Sequence, residues 1–361
     1  MPDTTSYDNI LFIEAHVTND DQLPPMVSIS RSAPIGSDQS STNLHRPVSD
    51  AEVCILCDDG SEYIFHESEQ GKYIPLDTEF TGEVGKSYKL ILYHEGNTYE
   101  SDFEILLPSP PVDSISAKYQ QQKMSETGKL VNGLRFYIST RQTAPPPSYY
   151  RWILDATYMY GVPLNSTHIY EGSIPVDHDN RDVMYCWKTY SINGIFISTT
   201  EGLIENAVVE APLNYENHYG DALSLKYSLH ARQLSISNQA FEFWRDLNKL
   251  TKQTGGLYES QPFRLEGNIK CTTDPTVNVS GIFEVAGVSE ARGFFIRPVE
   301  FDIIRFKCEL EQVGTETLPW SKLNEGDYLI EDRPGVYLTA NIMCFDCRAR
   351  GGTTDIPFFW E

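Results

Sequence analysis

The sequence predicts a mainly β protein in two parts. An immunoglobulin-like β-sandwich is expected over residues 10–110, after a polar spacer at 1–9. A larger β-rich domain, sandwich or barrel-like, is expected over 111–361, with one amphipathic helix near 238–254. Three observations carry this reading. Short alternating apolar runs separated by turn residues fill 10–107. Pro108-Ser109-Pro110-Pro111 cannot continue a hydrogen-bonded ladder and divides the chain. Only one stretch, within Leu234–Cys271, places apolar residues convincingly at helical spacing.

In the first part, Ile10 and Phe12 open one strand, and Val27 and Ile29 follow a turn. The segment 33–47 is rich in Ser, Pro, Asn and Asp and reads as an exposed loop. Strands then follow at Ala51–Cys57, Glu62–His66, Tyr73–Leu76, Ser87–Tyr93 and Thr98–Ile105. Between them, Asp58-Asp59-Gly60 and Glu95-Gly96-Asn97 supply turns with positive φ.

In the second part, Gly133–Thr140 and Tyr149–Tyr158 read as strands joined by a loop holding Pro145-Pro146-Pro147. Residues 185–192, Asn193-Gly194 and 195–198 read as a hairpin, because Asn-Gly suits a type I′ turn. Further strand-like segments lie at Leu223–Ala231, Gly281–Val285, Gly293–Ile296, Ile303–Leu310, Tyr328–Ile330 and Val336–Ile342. The helix is specified at several levels. Ser237 suits the N-cap, and Ile236 and Phe241 form a hydrophobic staple. Ala240, Phe243, Trp244, Leu247 and Leu250 make one apolar face, and Gly255-Gly256 supplies the stop. Aromatics at this spacing are expected to pack against a sheet.

Composition narrows the function. The 361 residues carry a formal charge of -23, from 28 basic and 51 acidic residues, which argues against a nucleic-acid backbone or an anionic membrane surface as the main partner. No stretch approaches the ~20 apolar residues of a membrane-spanning helix. No P-loop, dinucleotide fingerprint, zinc-protease helix or nucleophile elbow appears, so no catalytic residue and no cofactor is assigned. Glu14 and His16 share a strand face, but spacing names no nucleophile to go with them.

The candidate ligand-binding residues are Tyr149, Tyr150, Trp152 and Tyr158, an aromatic cluster able to line a sugar- or peptide-binding surface; core packing is the competing and favoured reading. Asp177, Asp179 and Asp182 alternate as in a cation-binding loop, but the glycine and terminal Glu of an EF-hand are missing and a solvated turn is favoured. Seven cysteines leave at least one unpaired. Cys54 and Cys57 would face opposite sides of a strand. Cys344 and Cys347 sit at a turn where two thiols can converge. Disulfide chemistry ranks ahead of buried thiols and zinc, with Cys186, Cys271, Cys344 and Cys347 as candidates and Cys186 with Cys271 as the expected long-range pair.

Several segments, in order, resemble a known family. They include PMVSISRS, VSDAEVCILCDDGSEY and GEVGKSYKLILYHEGNTYES, then YYRWILDATY, YCW and YSLHARQLSISNQAFEFWRDL. GGLYESQPFRLEGNI, GIFEVAGVSEARGFFI and CFDCRARGGTTDIPFFWE complete the series. Their succession is similar to the outer-membrane lipoproteins of Bacteroidota known as domain of unknown function 4249. The resemblance implies export and a lipid anchor on a cysteine upstream of Met1, with the 1–9 spacer as the tether. It also implies work beside a Sus-like TonB-dependent transporter, and recurring cysteines at Cys186, Cys344, Cys347 and Cys271. The expectation is a non-catalytic, outer-membrane, cell-surface lipoprotein that binds a peptide or glycan nutrient or docks on the transporter. The rival readings are an assembly subunit of a surface complex without a small ligand, and a hydrolase.

Overall fold

A computed structural model describes residues 10–32, 45–123, 128–143, 148–253, 265–299, 301 and 306–360. The 1–9 spacer, most of the 33–47 loop, Pro145-Pro146-Pro147 and the Gly255-Gly256 stop lie outside the described residues. The described residues are mainly β, with one α-helix among them.

The first strand, Leu11–Thr18, alternates as a half-buried strand should. Leu11, Ile13, Ala15 and Val17 point into a core while Phe12, Glu14 and His16 point away. It pairs antiparallel with Met26–Ser32. The sheet continues through Lys72–Pro75, Glu62–Glu69, Glu52–Cys57, Ser87–His94 and Asn97–Ser101 to Ile269–Cys271. Ile13, Val27, Ile55, Tyr73, Leu90 and Tyr99, drawn from across this run, share one core, so the sheet curls on itself. Ile269, Cys271, Phe283 and Val285 complete that core from far downstream.

The long strand Val279–Ile296 joins the two parts. Residues 279–286 run parallel to the first strand, and residues 287–296 run antiparallel to Lys226–Ile236. The division expected at 108–111 is therefore crossed by later chain. A Cβ on Gly281 would lie 1.8 Å from the Ile13 carbonyl, so this close parallel pairing needs a glycine there. The proline segment itself is fixed. The Pro110 carbonyl accepts from Gln233 Nε2 at 2.8 Å and from Ser289 Oγ at 2.6 Å, and the buried Gln233 also accepts from Trp152 Nε1 at 3.1 Å.

The second core lies between two sheets. Val112–Lys123, Leu130–Arg141 and Ala207–Asn217 form one; Tyr185–Thr199, Tyr149–Gly161, Lys226–Ile236 and the end of Val279–Ile296 form the other. Phe136, Ile138, Tyr150, Trp152, Leu154 and Tyr227 fill the space between them. The expected hairpin at Asn193-Gly194 is not formed. Tyr185–Thr199 is a single strand along Tyr149–Gly161, and a register shift between Trp152 and Leu154 absorbs the Asn-Gly as a bulge. The long partner offers ladder positions to both flanks, which a hairpin would leave unpaired.

The helix Asn238–Gln253 falls where periodicity places it. Ser237 Oγ accepts from the Ala240 N–H at 3.2 Å as the N-cap. Ala240, Phe241, Phe243 and Trp244 pack on Leu234, Ile236, Ile282 and Ala286, on the face of the sheet opposite the second core. A small sheet of His168–Tyr170, Pro175–Asp177, Glu311–Gln312, Tyr328–Arg333 and Val336–Thr339 closes around Tyr170, Val313 and Leu329. Residues 306–310 of the expected Ile303–Leu310 strand are not in a strand. Among the described residues, no helix is long and apolar enough to cross a membrane.

Candidate functional site

Tyr149–Gly161 presents two faces of opposite character. Tyr150, Trp152, Leu154 and Ala156 enter the second core. Tyr149, Arg151, Ile153, Asp155 and Thr157 lie on the outer face by the alternation of a strand. Register sets Asp155 beside His230 and Ser191, Thr157 beside Thr189, His230 beside Arg292, and Arg232 beside Glu290. The helix covers the apolar end of this outer face, at Tyr149 and Ile153. The polar end is left to line a cavity of about 640 Å³.

A buried ion pair marks where the helix stops covering the sheet. Glu284 is 2 % exposed. It accepts from Arg151 Nη2 at 2.5 Å, from Arg151 Nε at 3.0 Å and from Trp244 Nε1 at 2.7 Å. The same guanidinium lies 4.5 Å from the centre of the Trp244 ring. Both Glu284 oxygens are satisfied, as a buried carboxylate requires, so this group anchors the helix.

The cavity floor is a lattice of fixed polar side chains. Arg232 Nη1 donates to Asp155 Oδ2 at 2.9 Å, and its Nε lies 3.6 Å from Asp20 Oδ2. Ser191 Oγ donates to the other Asp155 oxygen at 2.7 Å, and the Thr157 and Thr189 hydroxyls are 2.9 Å apart. His230 Nε2 donates to Glu290 Oε2 at 2.9 Å. Burial pushes the His230 pKa below its ordinary value; the Arg292 and Arg232 charges act the same way, against the pull of Glu290. The ring is therefore neutral near pH 7.

Arg292 differs from Arg232. Its Nη1 donates to Ser228 Oγ at 3.2 Å, and no carboxylate among the described residues lies within ion-pairing distance. Its guanidinium stacks on Phe359, 3.6 Å from the ring centre. Burial lowers its pKa from the usual arginine value. It still carries its charge at any physiological pH.

The chain's last residues form the remaining wall, and several contacts bring them there. Cys347 is disulfide-bonded to Cys186 on the sheet's edge strand, and its carbonyl accepts from the Tyr160 hydroxyl at 2.7 Å. Thr353 then exchanges two backbone hydrogen bonds with Trp187, at 2.8 and 3.0 Å. Between these anchors a Cβ on Gly352 would sit 2.5 Å from the Tyr160 hydroxyl, so the chain passes only as glycine. Trp360 meets Trp187 and Phe294 edge-on, which sets Phe359 over Arg292 and leaves Phe358 fully exposed at the cavity rim.

The residues singled out from sequence fall elsewhere. Tyr150 and Trp152 are core residues, Tyr149 packs on Phe241, and Tyr158 lies among Tyr160 and Tyr190. Strand alternation splits the four between two faces, so they form no common binding surface. Asp177 pairs with His168 at 3.1 Å, Asp179 pairs with Arg181, and Asp182 is exposed on a 3-10 turn; the three carboxylates do not converge. Between them, Asn180 is buried and clips the small sheet in place, donating to the Leu164 and Phe345 carbonyls.

The expected Cys186–Cys271 pair is not formed. Cys186 bonds Cys347, Cys344 bonds Cys308, and Cys271 is a buried thiol. The reason is topological: Cys271 lies on the strand beside Asn97–Ser101, in the first core. Glu14 and His16 do share the outer face of their strand, and His16 Nε2 donates to the Pro24 carbonyl at 2.9 Å.

Sequence reading missed Arg292, His230 and Asp155. One signal for them was present, since Ser228, His230 and Arg232 alternate with buried Tyr227, Leu229 and Ala231 along one strand. No curated protein and no solved structure matches the chain. The family model described as a domain of unknown function, DUF4249, matches residues 1–292, a span that holds the first core, most of the second and the cavity residues from Gln22 to Arg292, and the chain belongs to that family.

Proposed function

We propose that this protein is a non-catalytic ligand-binding lipoprotein of the outer membrane, exposed at the cell surface, which takes up a peptide or glycan for a TonB-dependent transporter. The observation that carries the binding part is the cavity on the outer sheet face, with hydrogen-bonding side chains already fixed by neighbours and two phenylalanines at its wall and rim. A cavity of this size, rigid and lined by oriented polar groups beside aromatics, suits a small ligand held by hydrogen bonds and stacking. The anchor, the membrane and the transporter rest on family membership and the resemblance that accompanies it.

Thermal-shift screening of the folded chain against pooled peptides and oligosaccharides tests the binding part. A ligand at a hundred times its Kd stabilises by ~2.7 kcal/mol. The expected result is a raised melting temperature with one pool, lost in Thr189→Trp, which fills the cavity from an exposed position on its floor. No shift with any pool, or a shift that Thr189→Trp leaves intact, counts against this site and favours an assembly subunit.

A further inference from the structure

We infer that Arg292 is an anion receptor and that the ligand of this cavity carries a carboxylate; the inference rests on the binding reading above and narrows it. The argument begins with charge pairing. Arg232 is matched by Asp155 and Asp20, and Glu290 is engaged by the imidazole N–H of His230. Among the described residues Arg292 has no carboxylate in direct contact, and Glu290 meets only the neutral imidazole. An unpaired cation in a partly buried site is unfavourable unless something neutralises it. Here Glu290 and Asp155 attract the guanidinium only at longer range, and no described carboxylate forms a direct ion pair with it. Phe359 covers one face of the guanidinium, and Ser228 takes one Nη1 donor. The other N–H groups remain for a ligand.

The geometry favours a carboxylate over a phosphate. A guanidinium fork matches the planar carboxylate with two parallel hydrogen bonds. One bound carboxylate gives the guanidinium the direct partner it lacks among the described residues. A dianion would add a second charge close to Asp155 and Glu290, on a chain already at -23. Glu290, with its side chain 58 % exposed, can accept from a ligand hydroxyl or amide N–H, and the exposed Phe358 ring can stack on a sugar ring or an apolar side chain.

Two sources offer this chemistry: the C-terminus of a peptide, and a hexuronic acid in a glycan. Titration calorimetry on the full chain separates them. The probes are a tripeptide with a free C-terminus and its C-terminal amide, an oligogalacturonate and its methyl ester, and a neutral oligoglucoside. The expected result is that one acid form binds, that its amide or ester binds at least tenfold more weakly, and that added salt weakens the acid form. Arg292→Gln loses the same factor, and Arg292→Lys keeps part of it, since it retains charge without the fork. Melting temperatures of both variants confirm that they are folded.

Equal binding of acid and neutral forms, or an acid-form affinity unchanged in Arg292→Gln, overturns the carboxylate assignment while the binding reading stands. A neutral oligoglucoside as the only binder does the same. If no probe binds and pooled screening is also silent, the binding reading itself fails, and this inference with it.

Discussion

Trp244 shows how far single residues can be read. Its helical spacing with Ala240, Phe243 and Leu247 predicts burial, and it is buried. Its polar role was not legible, because the carboxylate that its indole N–H meets, Glu284, arrives from a strand 40 residues away. Trp244→Ala is expected to lose packing and one of the donors to a buried carboxylate, at a cost of ~3–5 kcal/mol. Trp244→Phe keeps most of the packing and should lose ~1–3 kcal/mol for the missing hydrogen bond. Urea denaturation of both variants checks this. A Trp244→Phe variant as stable as the unsubstituted protein would mean that the hydrogen bond contributes nothing. Arg292 shows the other limit. Its sequence neighbours give no sign that it lacks a direct ion pair, because its contacts are settled by other strands and by Phe359.

Among elements, strand positions were legible and strand partners were not. The runs expected at Ala51–Cys57, Ser87–Tyr93 and Tyr149–Tyr158 fall on the strands Glu52–Cys57, Ser87–His94 and Tyr149–Gly161. Asn193-Gly194 misleads, because a bulge and a turn use the same residues and only the partner strand decides between them. Cysteine pairing failed for the same reason, since spacing carries no information about which strands meet. The bridges have a direct check. Peptide mapping without reductant should recover Cys186 joined to Cys347 and Cys308 joined to Cys344, with Cys54, Cys57 and Cys271 alkylated. A Cys186–Cys271 peptide would contradict the topology. Reduction should lower stability by ~2–4 kcal/mol for each bridge lost.

For the whole molecule, fold class was legible and the connection between its halves was not. The prolines at 108–111 read as a boundary; Pro110 is clamped there by Gln233 and Ser289, and Val279–Ile296 serves both cores. One strand shared by two cores couples their stabilities. Differential scanning calorimetry on the intact chain is expected to give one cooperative transition, with calorimetric and van't Hoff enthalpies equal. Two resolved transitions would show that the shared strand does not couple the halves. The shared strand also governs timing during synthesis. Leu11–Thr18 emerges from the ribosome long before its parallel partner at 279–286. Until then the first core has an open edge and lacks Phe283 and Val285, and a stalled or clipped nascent chain presents that edge to proteases and to other chains. Completion of the N-terminal half is thus a report that synthesis has passed residue 286.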